Sequence, residues 1–317
     1  MDTPQLISRR QALASGMSDS ELRRLCLSGK WRRVRAGHYL NAAQPELTAA
    51  GRHLVLALAT CEAASDAAVA SHCSALVLHG VPTWSISLQR VHLTRNRVHG
   101  GRIGKQLVVH SAQLEPDEIT LVNGLQVTTP PRTVIDIARS QEFEQAVVIG
   151  DSALRQGLTT ADELRDHLHR ARHRRGSRMA AQVVAFLDGR SENIGESRSR
   201  VAIHRSGLPA PELQARVFTD DEVCVGRVDF LFAGLGVIGE FDGKDSCQSE
   251  SRGARMPEQV LAEKNRDNRL RALGWMVVRW SWDDLDDPAR LAGRIRSAAD
   301  VAARVRRTGH WSPTPKI

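Results

Sequence analysis

The sequence predicts a multidomain α+β protein, and three observations support this fold class. The chain has 317 residues, enough for two or three domains with separate hydrophobic cores. Its 41% hydrophobic and 25% charged residues are typical of a folded globular protein. Helix and strand periodicities alternate along the chain, and their character changes twice. We therefore predict three domains, at residues 1–44, 45–185 and 186–310.

The net charge favours a polyanionic partner. Lys and Arg number 44 against 36 Asp and Glu, which gives a formal charge of +8 at pH 7. Cationic contacts with phosphates release condensed counterions, so such a balance favours nucleic acid, although basic composition alone is weak evidence.

The cysteines and the apolar segments predict a cytoplasmic protein with no membrane span. The five cysteines are scattered and form no CxxC pair, which argues against a disulfide framework and a zinc ribbon and fits a reducing compartment. No stretch reaches the roughly 18 to 20 apolar residues that a membrane span needs, and no signal peptide is recognisable at the N-terminus.

The first forty residues predict two short helices followed by a basic hairpin. Ser8 is placed to cap a first helix, which Gly16 ends. Ser18 and Glu21 have the spacing of a capping box at the start of a second helix. Residues 31–40 then alternate as two short strands around a tight turn.

This order of elements is that of a winged helix-turn-helix, in which the second helix enters the major groove and the wing touches the backbone. Residues 1–40 hold eight Lys and Arg against three acidic residues, so they carry most of the net charge. The alternative is a helical hairpin whose arginines form a solvated face or a protein-docking surface. The predicted DNA-contacting residues are Ser18, Ser20, Arg23, Arg24, Lys30, Arg32, Arg33 and Arg35.

The segment 45–185 predicts a mixed α/β domain. Helical periodicity runs through residues 53–80, and helices resume after residue 129. Short strands are predicted between them, at residues 91–94, 107–110 and 125–128. No catalytic constellation follows from this segment, and we expect its polar candidates to be structural: His79, Arg132 and Asp136.

The stretches "LISRRQALASGMSDSELRRLCLSGKWRRVRAGHYL", "SHCSALVLHG" and "TTPPRTVIDIAR" resemble the AbiEi family of type IV antitoxins. The resemblance covers most of the first forty residues and parts of the middle segment. It implies DNA binding, often as autorepression of a toxin–antitoxin operon, with a cognate toxin as a partner.

Acidic residues in the last third of the chain predict a metal site. Asp229 and Glu240 fall on two strands that a short turn joins, so a hairpin brings them together. Asp242 shares a strand face with Glu240, because side chains alternate. A preceding helix carries Glu192 and Glu196, spaced so that they lie along one face together with Arg200.

Clustered carboxylates are costly unless a cation neutralises them, and hard oxygen ligands suit Mg²⁺ or Mn²⁺. Such an ion activates water and stabilises charge at a phosphodiester, which is the chemistry of a nuclease. The alternative is structural: Asp229 paired with Arg227 or Lys244, and Glu240 a residue at the sheet end without a metal. Against this alternative, both strands are otherwise apolar, and burying a carboxylate among apolar residues is unfavourable unless a partner compensates its charge.

Asp229, ten intervening residues and then Glu240-Phe-Asp-Gly-Lys244 resemble the core of the PD-(D/E)XK nucleases, in particular the Vsr-like endonuclease domains. The flanks "ESRSR…GLPAPELQ" and "AEKNRDNRLRALGWMVVRWSWDDL" extend the resemblance over roughly residues 191–290. It implies a restriction-endonuclease-like α/β domain with a central mixed sheet.

By that resemblance, Asp229 and Glu240 are the principal metal ligands and Glu196 is the additional acid. Asp242 stands where the family pattern has its lysine, which is a departure from it. The catalytic cation is then expected from Lys244 or from Lys264 on the following helix. Two residues are secondary candidates for the same pocket: Gln214 and Glu192.

Two functions remain open at this point. The first is a divalent-metal-dependent DNA endonuclease that a winged helix delivers to its substrate. The second is an AbiEi-type antitoxin or autorepressor whose nuclease-like domain is catalytically inactive. A third and weaker hypothesis has the nuclease-like domain act on RNA.

Overall fold

α-Helices and β-strands alternate along the chain in the computed structural model. The structure describes residues 6–43, 45–64, 68–243 and 257–315, without the side chains of 257–261. The described residues form twelve α-helices and three β-sheets. The predicted multidomain α+β class is therefore confirmed. The chain divides into two compact units: Met1–Ile149 with Leu158–Val184, and Gly150–Gly157 with Ala185–Ile317. The division into three domains stays a prediction.

The N-terminal elements form a small three-stranded antiparallel sheet with two helices. The sheet order is β1-β3-β2, so the first strand pairs with the last strand of the hairpin. The elements are β1 (Leu6–Ser8), α1 (Arg9–Ala14), α2 (Asp19–Leu27), β2 (Trp31–Arg35) and β3 (His38–Asn41).

Local chemistry fixes where these helices begin. The Ser8 hydroxyl accepts from the amide of Gln11, and the Ser18 hydroxyl accepts from the amide of Glu21. In both helices the residue at the third position returns the interaction, which completes a capping box. The hairpin turns at Gly37, whose φ of +77° suits a residue without a Cβ. The predicted caps and hairpin are confirmed, and β1 was not predicted.

The rest of the first unit is built on a six-stranded mixed sheet of order β6-β7-β5-β4-β9-β8. Its strands are β4 (Ala68–Ala70), β5 (Val91–Asn96), β6 (Arg102–Ile103), β7 (Leu107–Ala112), β8 (Ile119–Val122) and β9 (Leu125–Thr128). The helices of this part of the chain are α3 (Ala49–Glu62), α4 (His72–Leu78), α5 (Pro130–Ser140), α6 (Phe143–Arg155), α7 (Ala161–Arg170) and α8 (Ser177–Phe186), with a 3-10 turn at Pro116–Glu118.

The helical periodicity of residues 53–80 does not form one continuous helical region. The short strand β4 separates α3 from α4 and pairs with both β5 and β9. Ala70 is fully buried there, since it lies inside the sheet. Small apolar residues fit a buried strand as well as a helix, so periodicity alone did not distinguish the two.

The second unit has a five-stranded mixed sheet of order β13-β12-β11-β10-β14, in which only β12 and β13 are parallel. Its strands are β10 (Glu212–Phe218), β11 (Cys224–Phe232), β12 (Val237–Phe241), β13 (Met276–Trp280) and β14 (His310–Ser312). Its helices are α9 (Ile194–Arg205), α10 (Pro257–Ala272), α11 (Trp282–Asp286) and α12 (Pro288–Ala302). The central mixed sheet predicted for this segment is present.

Two hydrophobic cores flank this sheet. One joins Phe230 and Trp280 to residues of α9 and α12, including Ile203 and Ile295. The other joins strand residues to Leu270 of α10. The sheet is therefore covered by helices on both faces, and acids on its central strands lie in an environment of low polarity.

Candidate active site

Asp229 and Glu240 lie opposite each other on adjacent strands. Phe230 pairs with Gly239 in the antiparallel register of β11 and β12, and continuing this register by one residue places Asp229 against Glu240. The Asp229 carboxylate accepts a hydrogen bond of 3.0 Å from the amide of Phe241. Two acids are thus held side by side near the end of the pair of strands.

Glu196 reaches the same place from the first turn of α9. Asn193 caps this helix and donates from its side-chain amide to Glu196 Oε1 at 2.6 Å. A Cβ at Gly195 would lie 1.9 Å from the ring of Phe241, so only glycine allows the helix to approach the end of β12 this closely. The glycine therefore helps to bring Glu196, which is 4% exposed, to the two strand acids.

Gln214 holds Glu196 from a backbone position that is rare for its residue type. Its side-chain amide donates to Glu196 Oε2 at 2.9 Å, and its φ is +54°, in the left-handed region. The register of β10 and β11 places Gln214 opposite Asp229. Non-glycine residues held in this region cost of order 1–3 kcal/mol and cluster at functional sites.

The strands change their buried face at this point. Leu213 and Ala215 are two residues apart, and in a regular strand they would share a face. In the structure Leu213 packs in the core beneath α9 and α12, whereas Ala215 packs in the core beneath α10. The same switch separates Phe230 from Val228 on β11. The site therefore lies where β10 and β11 are locally twisted.

Arg266 of α10 is the cation that contacts the acids. Its guanidinium pairs with Glu240 Oε2 at 3.0 Å and donates to the Arg227 carbonyl at 3.2 Å. Lys264, which we predicted for this role, is exposed. Residues that are two positions apart in an α-helix are separated by about 200° around its axis, so Lys264 and Arg266 point in different directions. Lys244 lies outside the described residues.

Burial raises the pKa of each carboxyl in this group, which we call the acid site: Glu196, Asp229 and Glu240. The pKa of Glu196 rises to about 8, first through burial and then through the charge of Asp229. The pKa of Glu240 rises to about 7 for the same two reasons, opposed by Arg266. Burial also raises the pKa of Asp229, whereas its hydrogen bond from Phe241 lowers it. Removing these acids from water is unfavourable unless a proton or a cation compensates.

The oxygens of the acid site fit a hard divalent cation. Glu240 Oε1 and Gln214 Oε1 are both buried without a hydrogen-bond partner among the described residues. Carboxylate and amide oxygens are the ligands that Mg²⁺ accepts. The ligand atoms of the three acids do not all lie within 4.8 Å of one another. By the resemblance Asp229 and Glu240 would be the principal ligands, and the three acids would have to draw closer together to share one ion.

The carboxyls of the other predicted acids do not join the acid site, although the Glu192 amide donates to Glu196 Oε2 at 2.8 Å. Glu192 precedes α9 rather than lying on it, and its exposed carboxylate pairs with Arg227 at 2.6 Å. The helical face predicted for Glu192, Glu196 and Arg200 is therefore wrong, because the helix begins only after Asn193. Arg200 pairs instead with the buried Asp151 at 2.6 Å.

Asp242 follows the last residue of β12 and is partly buried. Its amide donates to the Trp280 carbonyl at 2.8 Å, which extends the pairing with β13 by one residue. Trp282 closes this end of the strand, since its indole donates to the Gly243 carbonyl at 3.2 Å. Asp242 is thus held by its backbone at the end of β12, two residues beyond Glu240.

The predicted DNA-contacting residues lie mostly on the surface of the N-terminal segment. The Ser18 hydroxyl is engaged in capping α2, and it also contacts Ser20 at 2.9 Å. Arg35 is partly buried. The exposed basic residues of α2, of the turn after it and of the hairpin are Arg23, Arg24, Lys30, Arg32 and Arg33.

The polar candidates of the middle segment form structural contacts. Arg132 is 2% exposed and pairs with Glu118 at 2.6 Å and with Asp136 at 2.9 Å. His79 contacts the Thr128 carbonyl at 2.8 Å. Each polar group is thus satisfied inside the fold, as buried polar groups usually are.

Comparison with known proteins adds no functional name. No protein-family profile matches the chain. Two uncharacterized proteins of Mycobacterium tuberculosis, MT2308 of strain CDC 1551 / Oshkosh and Rv2248 of strain ATCC 25618 / H37Rv, are each 31% identical to it over 182 residues. The match covers 57% of this chain and 64% of each relative, so the chain spans less than two thirds of their length.

Among solved structures, the crystal structure of the RV2827C protein from Mycobacterium tuberculosis is similar at a TM-score of 0.40 and 12% identity. The similarity covers 58% of this chain and 72% of that one. A score of this size supports no conclusion on function. Separately, none of the helices in the described ranges combines the length and the apolar character needed to cross a bilayer.

Proposed function

We propose that this chain is a divalent-metal-dependent DNA endonuclease of the PD-(D/E)XK type. The observation that carries the proposal is the acid site itself: three partly or fully buried carboxyls, all with raised pKa values, on adjacent elements of one mixed sheet. A cation is the natural compensation for such a group, and Glu240 Oε1 is buried without another partner within the described part of the chain.

Asp229 and Glu240 would hold Mg²⁺ or Mn²⁺ at the acid site. The bound ion would supply Lewis acidity at the phosphodiester and a more acidic water. Arg266 then has a second role, because a cation at Glu240 competes with its ion pair. Its guanidinium would turn to the substrate, where it matches the geometry of a phosphate.

Glu196 is suited to proton exchange with the attacking water. Its pKa of about 8 places both protonation states within reach near neutral pH. Gln214 keeps this carboxyl in place through the hydrogen bond to Oε2. Glu196 would therefore act as the proton-handling residue, while the two strand acids bind the ion.

The N-terminal segment would deliver this site to DNA as a winged helix-turn-helix. The strand order β1-β3-β2 with α1 and α2 before the hairpin supports this assignment, since the hairpin then stands beside the second helix. Arg23 and Arg24 lie exposed on α2, and the hairpin adds Arg32 and Arg33. DNA is thus the proposed partner, and the cytoplasm is the proposed compartment.

The test is cleavage of a supercoiled plasmid by the full chain with Mg²⁺ or Mn²⁺. We expect nicking that chelation abolishes and that both Asp229→Asn and Glu240→Gln reduce by at least about 100-fold. Asp221→Asn, which removes an exposed acid of the same unit, serves as the matched control and should cleave normally. Full cleavage by both acid-site variants, or cleavage without metal, would exclude the proposal.

A second candidate function rests on the ion pair between Arg266 and Glu240 and on the acid at position 242. Arg266 offers Glu240 a partner without any metal, so an inactive domain would also be stable. The chain would then be an AbiEi-type antitoxin or autorepressor with a cognate toxin. Salt-sensitive binding to its own promoter, with no cleavage of DNA or RNA under any metal, would favour this function over the first.

A further inference from the structure

Three histidines of the first unit converge on one face of its sheet. His92 lies on β5 and His110 on β7, and the parallel register pairs His92 with Val108. His110 is two residues beyond Val108, so both imidazoles stand on the same face of adjacent strands. The facing nitrogens, His110 Nε2 and His92 Nδ1, are 3.0 Å apart.

His72 completes the group from the start of α4. Its φ of +51° lies in the left-handed region, which is uncommon for a residue with a side chain. Its ring stacks on that of His110, with centroids 3.8 Å apart. One ligand nitrogen from each of the three rings lies within 4.8 Å of the other two, and no other set of three potential ligands in the described ranges does so.

The chemistry of this cluster is unusual for a hydrogen-bonded core. Among the described residues, the hydrogen bonds and ring contacts of these imidazoles are with each other and with Ser71, whose hydroxyl lies 3.0 Å from His72 Nδ1. The nearby carboxylate of Asp136 is already committed to Arg132 and Arg139. Three imidazoles therefore face one another without an acid of their own, and a hydrogen-bonded pair uses only one proton between two nitrogens.

We propose that His72, His92 and His110 bind one zinc ion. Neutral imidazole is a borderline ligand that suits Zn²⁺, and three histidines with one open position form a known type of zinc site. With Zn–N bonds of about 2.0–2.1 Å in tetrahedral geometry, two bound nitrogens lie about 3.3 Å apart. The nitrogens of His92 and His110, 3.0 Å apart, share a hydrogen bond that the ion would replace, and the stacked ring of His72 would turn to face the ion.

The surroundings support the ligand set and leave room for a fourth ligand. Burial lowers the pKa of His72 to about 3 and that of His92 to about 4, so both rings are neutral at pH 7. A hydrogen bond between Thr94 and Ser71 fixes the hydroxyl that orients His72. A cavity of about 240 Å³ opens beside His72 and His92, lined also by Arg90 and Gln141.

This site is separate from the acid site in chemistry and in place. The acid site offers oxygens of the second unit, whereas the zinc ligands are nitrogens of the first. The two can be tested independently, because Mg²⁺ prefers oxygen ligands and Zn²⁺ prefers imidazole.

The experiment uses the full chain, freed of any affinity tag and stripped with a chelator. Zn²⁺ is titrated in competition with a chromophoric chelator, and we expect one zinc bound at the histidines. His92→Asn and His110→Gln should each weaken this binding by at least about tenfold. His99→Gln removes an exposed histidine of the same unit and should bind as the wild type does.

Asp229→Asn distinguishes the two sites, since zinc binding at the histidines should persist in it. Unchanged zinc affinity in both histidine variants, or binding lost only in Asp229→Asn, overturns the proposal. If the histidine variants do not fold, X-ray absorption of the zinc-loaded wild type decides. A shell with three imidazole nitrogens supports the site, and a shell of oxygens alone overturns it.

Discussion

Gln214 donates a hydrogen bond of 2.9 Å to Glu196, and its own backbone φ is +54°. It lies opposite Asp229 on the adjacent strand. One strained residue thus links the helix acid to the strand acids. The strain also marks the point where β10 and β11 exchange their buried faces. Backbone strain that persists inside a sheet requires compensation, and here it positions a carboxyl.

Replacing Gln214 by Met should separate the effect of the backbone strain from that of the hydrogen bond to Glu196, because methionine keeps the size of the side chain but cannot donate. Glu196 Oε2 would then lose a buried hydrogen bond, and we expect a loss of about 1–3 kcal/mol in the free energy of unfolding, measured by urea denaturation. Gln126→Met, at an exposed strand position, should change stability little. Equal stability of the Gln214 variant and the wild type would show that this hydrogen bond is not needed.

The stability of the metal-free protein should fall as the pH rises from about 6.5 to 8. The pKa of Glu196 is raised to about 8 in the folded protein from 4.5 when unfolded, so the unfolded chain loses its proton first. The folded protein then holds one more proton at Glu196 than the unfolded chain does, so this residue lowers the free energy of unfolding by up to about 1.4 kcal/mol per pH unit. Glu240, whose pKa is raised to about 7, adds to the slope at the lower end of this range. Below pH 6.5 the buried histidines oppose this trend, because their lowered pKa values make stability rise with pH.

Glu196→Gln should remove most of this slope and stabilise the protein at pH 8, as measured by urea titrations at several pH values. Asp221→Asn should leave the slope unchanged. Curves of variant and wild type that run parallel between pH 6.5 and 8 would contradict the raised pKa of Glu196.

Arg266 and Lys264 offer a matched pair of variants on one helix. Arg266→Ala leaves Glu240 without its ion pair, so we expect the pKa of Glu240 to rise further and metal-dependent cleavage to fall by at least about tenfold. Lys264→Ala removes an exposed charge and should leave cleavage within a factor of about two. Plasmid-nicking rates measure both, and a larger loss in the lysine variant would reassign the cation.

The sequence predicted the two strand acids of the acid site but not the cation that pairs with Glu240. Asp229 and Glu240 interrupt apolar strands, which made them visible, and the hairpin register then places them together. Arg266 could not be predicted from the sequence, because several cations occur on α10 and only the packing decides which one faces the sheet. The fold of the C-terminal segment was predictable for the same reason that its acids were: its strands are strongly apolar.

The remaining features depend on contacts that no sequence pattern carries. Glu192 was placed on α9 by its spacing, but Asn193 caps the helix, which begins at Ile194, two residues after Glu192. The three histidines come from separate elements, at intervals of 20 and 18 residues, so no motif links them. Their convergence follows from the parallel pairing of β5 with β7, which is a tertiary relationship.

DNA binding by the N-terminal segment should depend on Arg23 and Arg24, which are exposed on α2. If each contacts a phosphate, the double variant Arg23→Ala/Arg24→Ala releases about two fewer counterions, and the slope of log affinity against log salt becomes shallower by about two. Fluorescence anisotropy with a duplex at several salt concentrations measures this slope. Arg304→Ala/Arg306→Ala removes two exposed arginines near the other end of the chain and should keep the wild-type slope. An unchanged slope in the α2 variant would show that this helix does not contact the DNA backbone.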